Sequence, residues 1–316
     1  MASAGASRRR RSPEDHSFTA ILGVNRRNLF RVASRPEART RSRNHQSMLS
    51  HVVGFIGAGQ MARALAKGFI QAGLVKAEQT IAADPAPAAA QQFAAEVAGA
   101  RLVATNAAVV EQASVIFLAV KPQSMAAVYS ELSDQITIGK LFVSIAAGVT
   151  LTKLSEGLKS RRVIRVMPNT PALIGEGASA YALGPGATAE DRKLVGELLA
   201  AVGKAFVVDE KLLDAVTGLS GSGPAFVYVM IEALSDGGVR MGLPREIASA
   251  LAAQTVRGAA AMVIETGEHT SVLKDKVASP GGTTIAGLQA LEDRGLRGAL
   301  IAAVEAATRR SQELGK

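Results

Sequence analysis

The stretch His51-Val-Val-Gly-Phe-Ile-Gly-Ala-Gly59 decides how this chain folds. A short apolar run ends in glycines. Gln60 to Ala72 follows with helical spacing (Met61, Leu65, Phe69) and stops at Gly73. Strand, glycine turn and helix, in that order, carry Gly57-x-Gly59-x-x-Ala62, a dinucleotide fingerprint with alanine in the third place. Gly57 permits the tight turn, and Gly59 lets the backbone approach a pyrophosphate.

The same alternation continues outward. A strand over Gln79 to Ala83 ends at Asp84, where the residue that reads the adenosine ribose belongs. There a carboxylate accepts from a free 2′-hydroxyl and repels a 2′-phosphate, and no Arg or Lys follows in Asp84-Pro-Ala-Pro-Ala. This favours NADH over NADPH, while a second reading makes Asp84 only the start of the turn before Pro85. Ser114 to Val120 and Leu141 to Ile145 are buried parallel-strand patterns. Ligands bind beyond the carboxyl ends of such strands, where Asn106, Lys121 and Ala146 fall, and the small residues at 146–148 leave room for a nicotinamide ring. A strand over Arg162 to Val166 runs into Met167-Pro-Asn-Thr-Pro171. Thr188 with Asp191 caps a helix to Ala201, and a strand over Ala205 to Val208 closes the domain.

After Asp209 only helical patterns remain. Leu219-Ser-Gly-Ser-Gly-Pro-Ala225 reads as a loop into an apolar helix over Phe226 to Val239; further helices are expected over Arg245 to Thr266 and Arg297 to Glu313. The expected fold is α/β: a Rossmann-type doubly wound sheet over 51–209, followed by an all-α domain over 210–316 that dimerises by interlocking helices. Within that second domain, Ser279-Pro-Gly-Gly-Thr-Thr284 precedes a helix carrying Ile285, Leu288 and Leu291. The amides of Gly282, Thr283 and Thr284 would face outward at the positive end of that helix with two hydroxyls beside them, a seat for a small carboxylate; the plainer reading is an N-capped turn.

Aromatic content of 4% without tryptophan implies cores of Ala, Val, Leu and Ile, and the absence of cysteine excludes disulfides, thiolate metal sites and thiol nucleophiles. The net charge of +9 is uneven: residues 1–50 hold 11 Arg and no Lys for +8, and residues 51–316 carry only +1. A basic surface on the body is therefore unsupported. The tail's low hydrophobicity and high charge predict disorder. It reads as a transit peptide, as a nucleic-acid-binding arm or, the favoured reading, as an extension upstream of a physiological start at Met48. No stretch of 18 residues is both apolar and free of charge, so no membrane span is expected. A cytoplasmic location is expected, with organelle import through the tail left open.

The body's two histidines give no acid–base candidate. His51 opens the first strand at the end away from the ligand; His269 lies ten residues before Ser279, within reach of the pocket, but the favoured reading is a surface helix terminus. Metal-ligand clusters are absent too. A hydride donor and a carboxylate cradle without a proton donor suit an iminium, which already carries its proton.

Gly54-Phe-Ile-Gly-Ala-Gly-Gln60, Ala119-Val-Lys-Pro122, Ser144-Ile-Ala-Ala-Gly-Val149, Arg165-Val-Met-Pro-Asn-Thr-Pro171, Leu219 to Ala225 and Ser279 to Thr284 together resemble the pyrroline-5-carboxylate reductase family, over essentially all of residues 52–315. The resemblance implies hydride transfer from NADPH or NADH to the imine of 1-pyrroline-5-carboxylate, giving proline in the last step of its biosynthesis. It implies cofactor binding by Ile56, Gly57, Ala58, Gly59, Gln60, Met61, Asn106, Ala119, Val120, Lys121, Pro122, Ile145, Ala146 and Ala147. It places the substrate on Ser279, Gly281, Gly282, Thr283 and Thr284, with Ser279 and Thr284 as the catalytic pair. A homodimer, often assembled into decamers, is implied as well. Asp84 departs from the family, whose members often carry serine or another neutral residue there, and the tail lies outside the resemblance.

Three alternatives compete. A β-hydroxyacid dehydrogenase shares this architecture but needs a Lys and, four residues on, an Asn after its glycine motif, and Pro224 to Met230 supplies neither. A cofactor-binding sensor would show no turnover. An RNA-binding role would reside in the arginine clusters of the tail.

Overall fold

The computed structural model describes Met1 and residues 51–135 and 138–315. The chain divides into two units, Met1–His45 and Gln46–Lys316, and every element below lies in the second. The Arg-rich tail and the start expected at Met48 lie outside the described residues.

β1 (Val53–Ile56) passes through the glycine turn into α1 (Gln60–Gln71). β2 (Thr80–Ala83), α2 (Pro87–Glu96), β3 (Arg101–Leu102) and α3 (Asn106–Gln112) follow. Next come β4 (Val115–Leu118), α4 (Met125–Glu131), β5 (Leu141–Ser144), α5 (Leu151–Gly157) and β6 (Val163–Met167). β7 (Gly177–Leu183), α6 (Ala189–Ala200) and β8 (Gly203–Val207) complete the sheet, whose order is β3-β2-β1-β4-β5-β6-β7-β8. All neighbours run parallel except β6 with β7, which pair antiparallel from Ile164 opposite Leu183 to Met167 opposite Ala180. The order reverses at β1, flanked by β2 and β4, so the crevice beyond these three strands is the natural ligand site.

The central strands β1, β2, β4 and β5 bury both faces, as parallel strands covered by helices must. One face stacks Phe55 on Phe117 with ring centroids 5.2 Å apart, against Phe69 and Phe93. The other gathers Ile56, Ile81, Ile116 and Phe142. The expectation of a core without aromatics is thereby corrected. Phenylalanine is scarce, but four of the nine meet in one cluster, where each removes a large apolar area from water.

Two strands escaped the sequence reading. β3 is a two-residue exposed edge. β7 is Gly-Ala-Ser-Ala-Tyr-Ala-Leu, poor in β-branched residues, and forms because β6 and β8 pair with it on both sides. β8 covers Gly203–Val207, displaced from the expected Ala205 to Val208. The Thr188–Asp191 capping box at the start of α6 is present as expected.

Beyond β8 the chain is helical: α7 (Leu213–Val216), α8 (Gly223–Arg240), α9 (Arg245–Thr266), α10 (Thr270–Val277), α11 (Thr283–Asp293) and α12 (Leu296–Gly315). The loop expected over Leu219 to Ala225 is instead a π-helical turn over Thr217–Gly221 that runs straight into α8, with Ser222 N–H donating to the Thr217 carbonyl at 2.8 Å. Gly218 lies so close to α12 that a Cβ there would strike the Thr308 hydroxyl, and the wider turn accommodates this contact.

A buried charge network joins sheet and helices. Arg165, on β6 and only 5% exposed, reaches Glu210 at 3.1 Å and Asp214 at 3.7 Å. Asp214 in turn accepts from Ser311 of α12 at 2.7 Å, and Glu210 accepts from the Leu151 amide that opens α5. The helices themselves bury little. Among the described residues α8 buries only Ser235, α9 only Ala248 and Ala252, and α10 and α11 none. By length and composition α9 is also the one described helix apolar enough to cross a membrane.

Candidate active site

A groove of about 520 Å³ opens beyond the carboxyl ends of β1, β2 and β4, with Gly57, Gly59, Asp84, Asn106, Lys121 and Glu131 among its walls. Gly57 adopts φ +95°, and a Cβ there would meet the Ala119 carbonyl at 2.8 Å; only glycine lets the turn pass this close to the exit of β4. At Gly59, by contrast, a Cβ would meet nothing within 4 Å. Gly59 is the N-cap of α1, and no side chain caps that terminus, so its first amides are free to receive an anion. Lys121 is exposed and has no salt-bridge partner among the described residues. Free amides, an unpaired cation and an open glycine ledge fit the pyrophosphate of a dinucleotide.

Asp84 starts the turn before Pro85, which was one of its two readings, and it also reaches the glycine loop. One carboxylate oxygen accepts from the Ala86 amide at 2.8 Å and starts the turn, and the other accepts from the Ala58 amide at 2.8 Å. The carboxylate is thus pinned against the glycine loop inside the groove, with lone pairs to spare for a hydroxyl.

The remaining expected cofactor residues fall around this site. Ile56 ends β1, Ala58 is fully buried in the turn, and Gln60 and Met61 begin α1. Ala119 and Val120 line the groove. The Ile145 amide donates to the Leu118 carbonyl at 3.1 Å, which holds the exit of β5, with Ala146 and Ala147, beside that of β4. Pro122 does not line the groove; it borders a neighbouring cavity with Gly148, Tyr129 and Leu314. There burial pushes the Tyr129 phenol up to about 12, so it stays neutral.

The other expected binding element is the turn before α11. Gly281 takes φ +66°, the Gly282 amide donates to the Ser279 carbonyl at 3.1 Å, and a Cβ on Gly282 would collide with the Ser279 hydroxyl. The backbone therefore wraps around Ser279. Gly282 is the N-cap without any side-chain cap, which corrects the reading of an N-capped turn. The amides of Thr283 and Thr284 are left open at the positive end of an 11-residue helix. No residue of this turn lines the groove.

Asn169 joins two motifs that are distant in sequence. Its Nδ2 donates to the Ser220 carbonyl at 3.1 Å, and its Oδ1 accepts from Ala178 at 2.8 Å, so the loop after β6 and the π turn form one block. Of the histidines, His51 hydrogen-bonds Ser114 at 3.0 Å, and His269 caps α10 by accepting from Ser271 at 3.2 Å. Both act structurally, as expected. No group of His, Cys, Asp and Glu among the described residues could hold a metal. Sequence reading missed Thr105 and Glu131. Thr105 caps α3 through Ala108 and had a cap signature, whereas Glu131 meets Asn106 from 25 positions away and had no local signal.

Residues 210–314 match the family model described as pyrroline-5-carboxylate reductase dimerisation, and residues 52–148 match one described as NADP oxidoreductase, coenzyme F420-dependent. The chain is 48% identical over 265 residues to the pyrroline-5-carboxylate reductase of Pisum sativum, covering 84% of this chain and 96% of that one. It is 49% identical over 270 residues to that of Methanosarcina acetivorans, covering 85% and 100%. Among solved structures, the pyrroline carboxylate reductase of Plasmodium falciparum with NADP bound aligns at TM-score 0.74 and 33% identity, covering 85% of this chain and all of that one.

Proposed function

The chain belongs to the pyrroline-5-carboxylate reductase family, and from that premise we propose that it reduces the imine of 1-pyrroline-5-carboxylate to proline with a reduced nicotinamide dinucleotide. The observation that carries this reading is the pairing of an uncapped, glycine-lined groove at the sheet's switch point with an uncapped helix N-terminus wrapped around Ser279. The first suits a dinucleotide and the second a carboxylate.

When bound, the nicotinamide supplies a hydride. In this reading the α1 amides and Lys121 hold the pyrophosphate, and Asp84 accepts from the adenosine ribose. Ile145, Ala146 and Ala147 leave space for the ring beyond β5. Ser279, Gly281, Gly282, Thr283 and Thr284 hold the substrate carboxylate, with Ser279 and Thr284 turned to the substrate as the catalytic pair. The hydride adds to the imine carbon, and the C=N π pair moves onto a nitrogen that is already protonated. No side chain has to deliver a proton at that step, which agrees with the structural roles of both histidines.

The described helices leave their apolar faces open and match a dimerisation model, so the chain oligomerises through residues 210–314. We assign residues 51–209 to cofactor binding and 210–316 to substrate binding and dimerisation. The cradle lines no part of the groove on its own chain, which favours a site completed across the dimer, and assembly of dimers into decamers is the next level of the proposal. Asp84 favours NADH. Purified protein should oxidise NADH or NADPH only when 1-pyrroline-5-carboxylate is present. Absence of such oxidation in a folded dimer would remove the enzymatic reading.

A further inference from the structure

Glu131 ends α4 and lines the same groove as Asp84. Its carboxylate grips Asn106 twice: the Asn106 backbone amide donates to one oxygen at 3.0 Å, and the Asn106 side-chain amide donates to the other at 2.6 Å. A helix cap needs only one such bond, and Thr105 already caps α3 through the Ala108 amide. The second bond does something different, because it sets which way the Asn106 side chain faces. With its NH₂ turned to a carboxylate, the amide offers its carbonyl oxygen elsewhere, and that oxygen has no donor among the described residues.

The groove thus holds an orphan carbonyl acceptor and two carboxylates, Asp84 and Glu131, against the single cation Lys121. Acceptors and negative charge suit hydroxyl donors and oppose a phosphate. We infer that Glu131 is a specificity-determining residue: by orienting Asn106 and adding a second negative charge to that of Asp84, it biases the groove toward a dinucleotide whose adenosine ribose carries free hydroxyls and against one bearing a 2′-phosphate. The inference rests on the cofactor reading of this groove. Glu131 is exposed, so screening weakens its charge and the orientation of Asn106 carries the larger share.

Titration calorimetry of NADH and NADPH against the native chain, Glu131→Gln and Glu131→Ala tests this without turnover. Glutamine keeps the size and one acceptor but loses the charge and the bidentate grip; alanine frees Asn106 altogether. The ratio of the NADPH to the NADH dissociation constant should fall by roughly threefold to tenfold in Glu131→Gln, and at least as far in Glu131→Ala. The ratio of kcat/KM with NADPH to that with NADH should rise correspondingly. A role confined to capping α3 would weaken both cofactors equally and leave the ratio unchanged. A ratio within about twofold of native in Glu131→Gln, with both cofactors still bound, overturns the inference and leaves the groove assignment intact. If Glu131→Ala does not fold, the glutamine variant decides alone. If the native chain binds neither cofactor, the groove assignment falls and the inference falls with it.

Discussion

Thr284 is the second residue of α11, and its backbone amide has no partner among the described residues. With the substrate carboxylate seated there as proposed, removing the Thr284 hydroxyl takes away a hydrogen bond to a charged group, worth about 1–3 kcal/mol. Thr284→Ala should therefore raise KM for 1-pyrroline-5-carboxylate by ~10-fold and leave KM for the nicotinamide cofactor unchanged. Movement of the cofactor constant alone would mean the cradle has been misplaced. Asp84 makes the complementary argument at the other end of the site. Its two bonds, to Ala58 and Ala86, hold a negative charge in the groove, where the proposed reading seats the adenosine ribose. Asp84→Ser should shift kcat/KM toward NADPH by ~10-fold, about 1.4 kcal/mol, and an unchanged ratio would confine Asp84 to its turn. The positions of these residues were legible in the sequence because each stands beside a glycine turn or a strand end. Glu131 was not, since only the fold brings it to Asn106 from 25 positions away.

Local elements were legible where several signals agreed. β1, the Gly57 turn and α1 combine an apolar run, glycines and helical spacing, and α6 opens on a capping box visible as Thr188 and Asp191. β7 lacked such agreement, since its alanines, serine and glycine give no strand signal without β6 and β8 beside them. Likewise the π turn needed α12 pressed on Gly218. Asp191 also anchors its element electrostatically. Its carboxylate is 1% exposed and takes two bonds from Arg162, at 2.8 and 2.6 Å, and one from the Thr188 amide. Burial pushes its pKa up, but the Arg162 and Thr188 bonds outweigh that and hold it below the usual carboxylate value. A depressed folded value means that the stabilisation is complete above the unfolded pKa, about 3.9, and is lost as pH falls through the lower folded one. Asp191→Asn should cost ~2 kcal/mol at neutral pH, less than a wholly buried pair because Arg162 is a third exposed. Thermal melts between about pH 2 and 7 should show the native and variant curves converging in acid; a constant gap would contradict this role.

Across the whole molecule, what matters most is how little of the helical half is covered. Leu251 is 54% exposed and Ile264 69%, both on α9 within the segment matching the dimerisation model. Faces of this kind bury against a second copy, each such side chain contributing ~1.5–3 kcal/mol. Leu251→Arg with Ile264→Arg should sediment as a monomer, retain NADH binding in the groove and lose turnover. A variant that remains dimeric and active would place the interface elsewhere. The arrangement of the copies was not legible in the sequence, because an apolar stripe does not say which surface covers it.

Hydride transfer from a dinucleotide in the Gly57–Gly59 groove to the imine carbon of a substrate held at Ser279 and Thr284, as proposed, would leave an isotopic mark on the product. Incubation with NADH deuterated at its transferable position, followed by mass spectrometry and NMR of the product, tests it most directly. Proline with one deuterium at C5, the former imine carbon, should form in equal amount to the NADH consumed. NADH oxidation with no deuterium in proline, or no proline at all from a folded dimer, would contradict it.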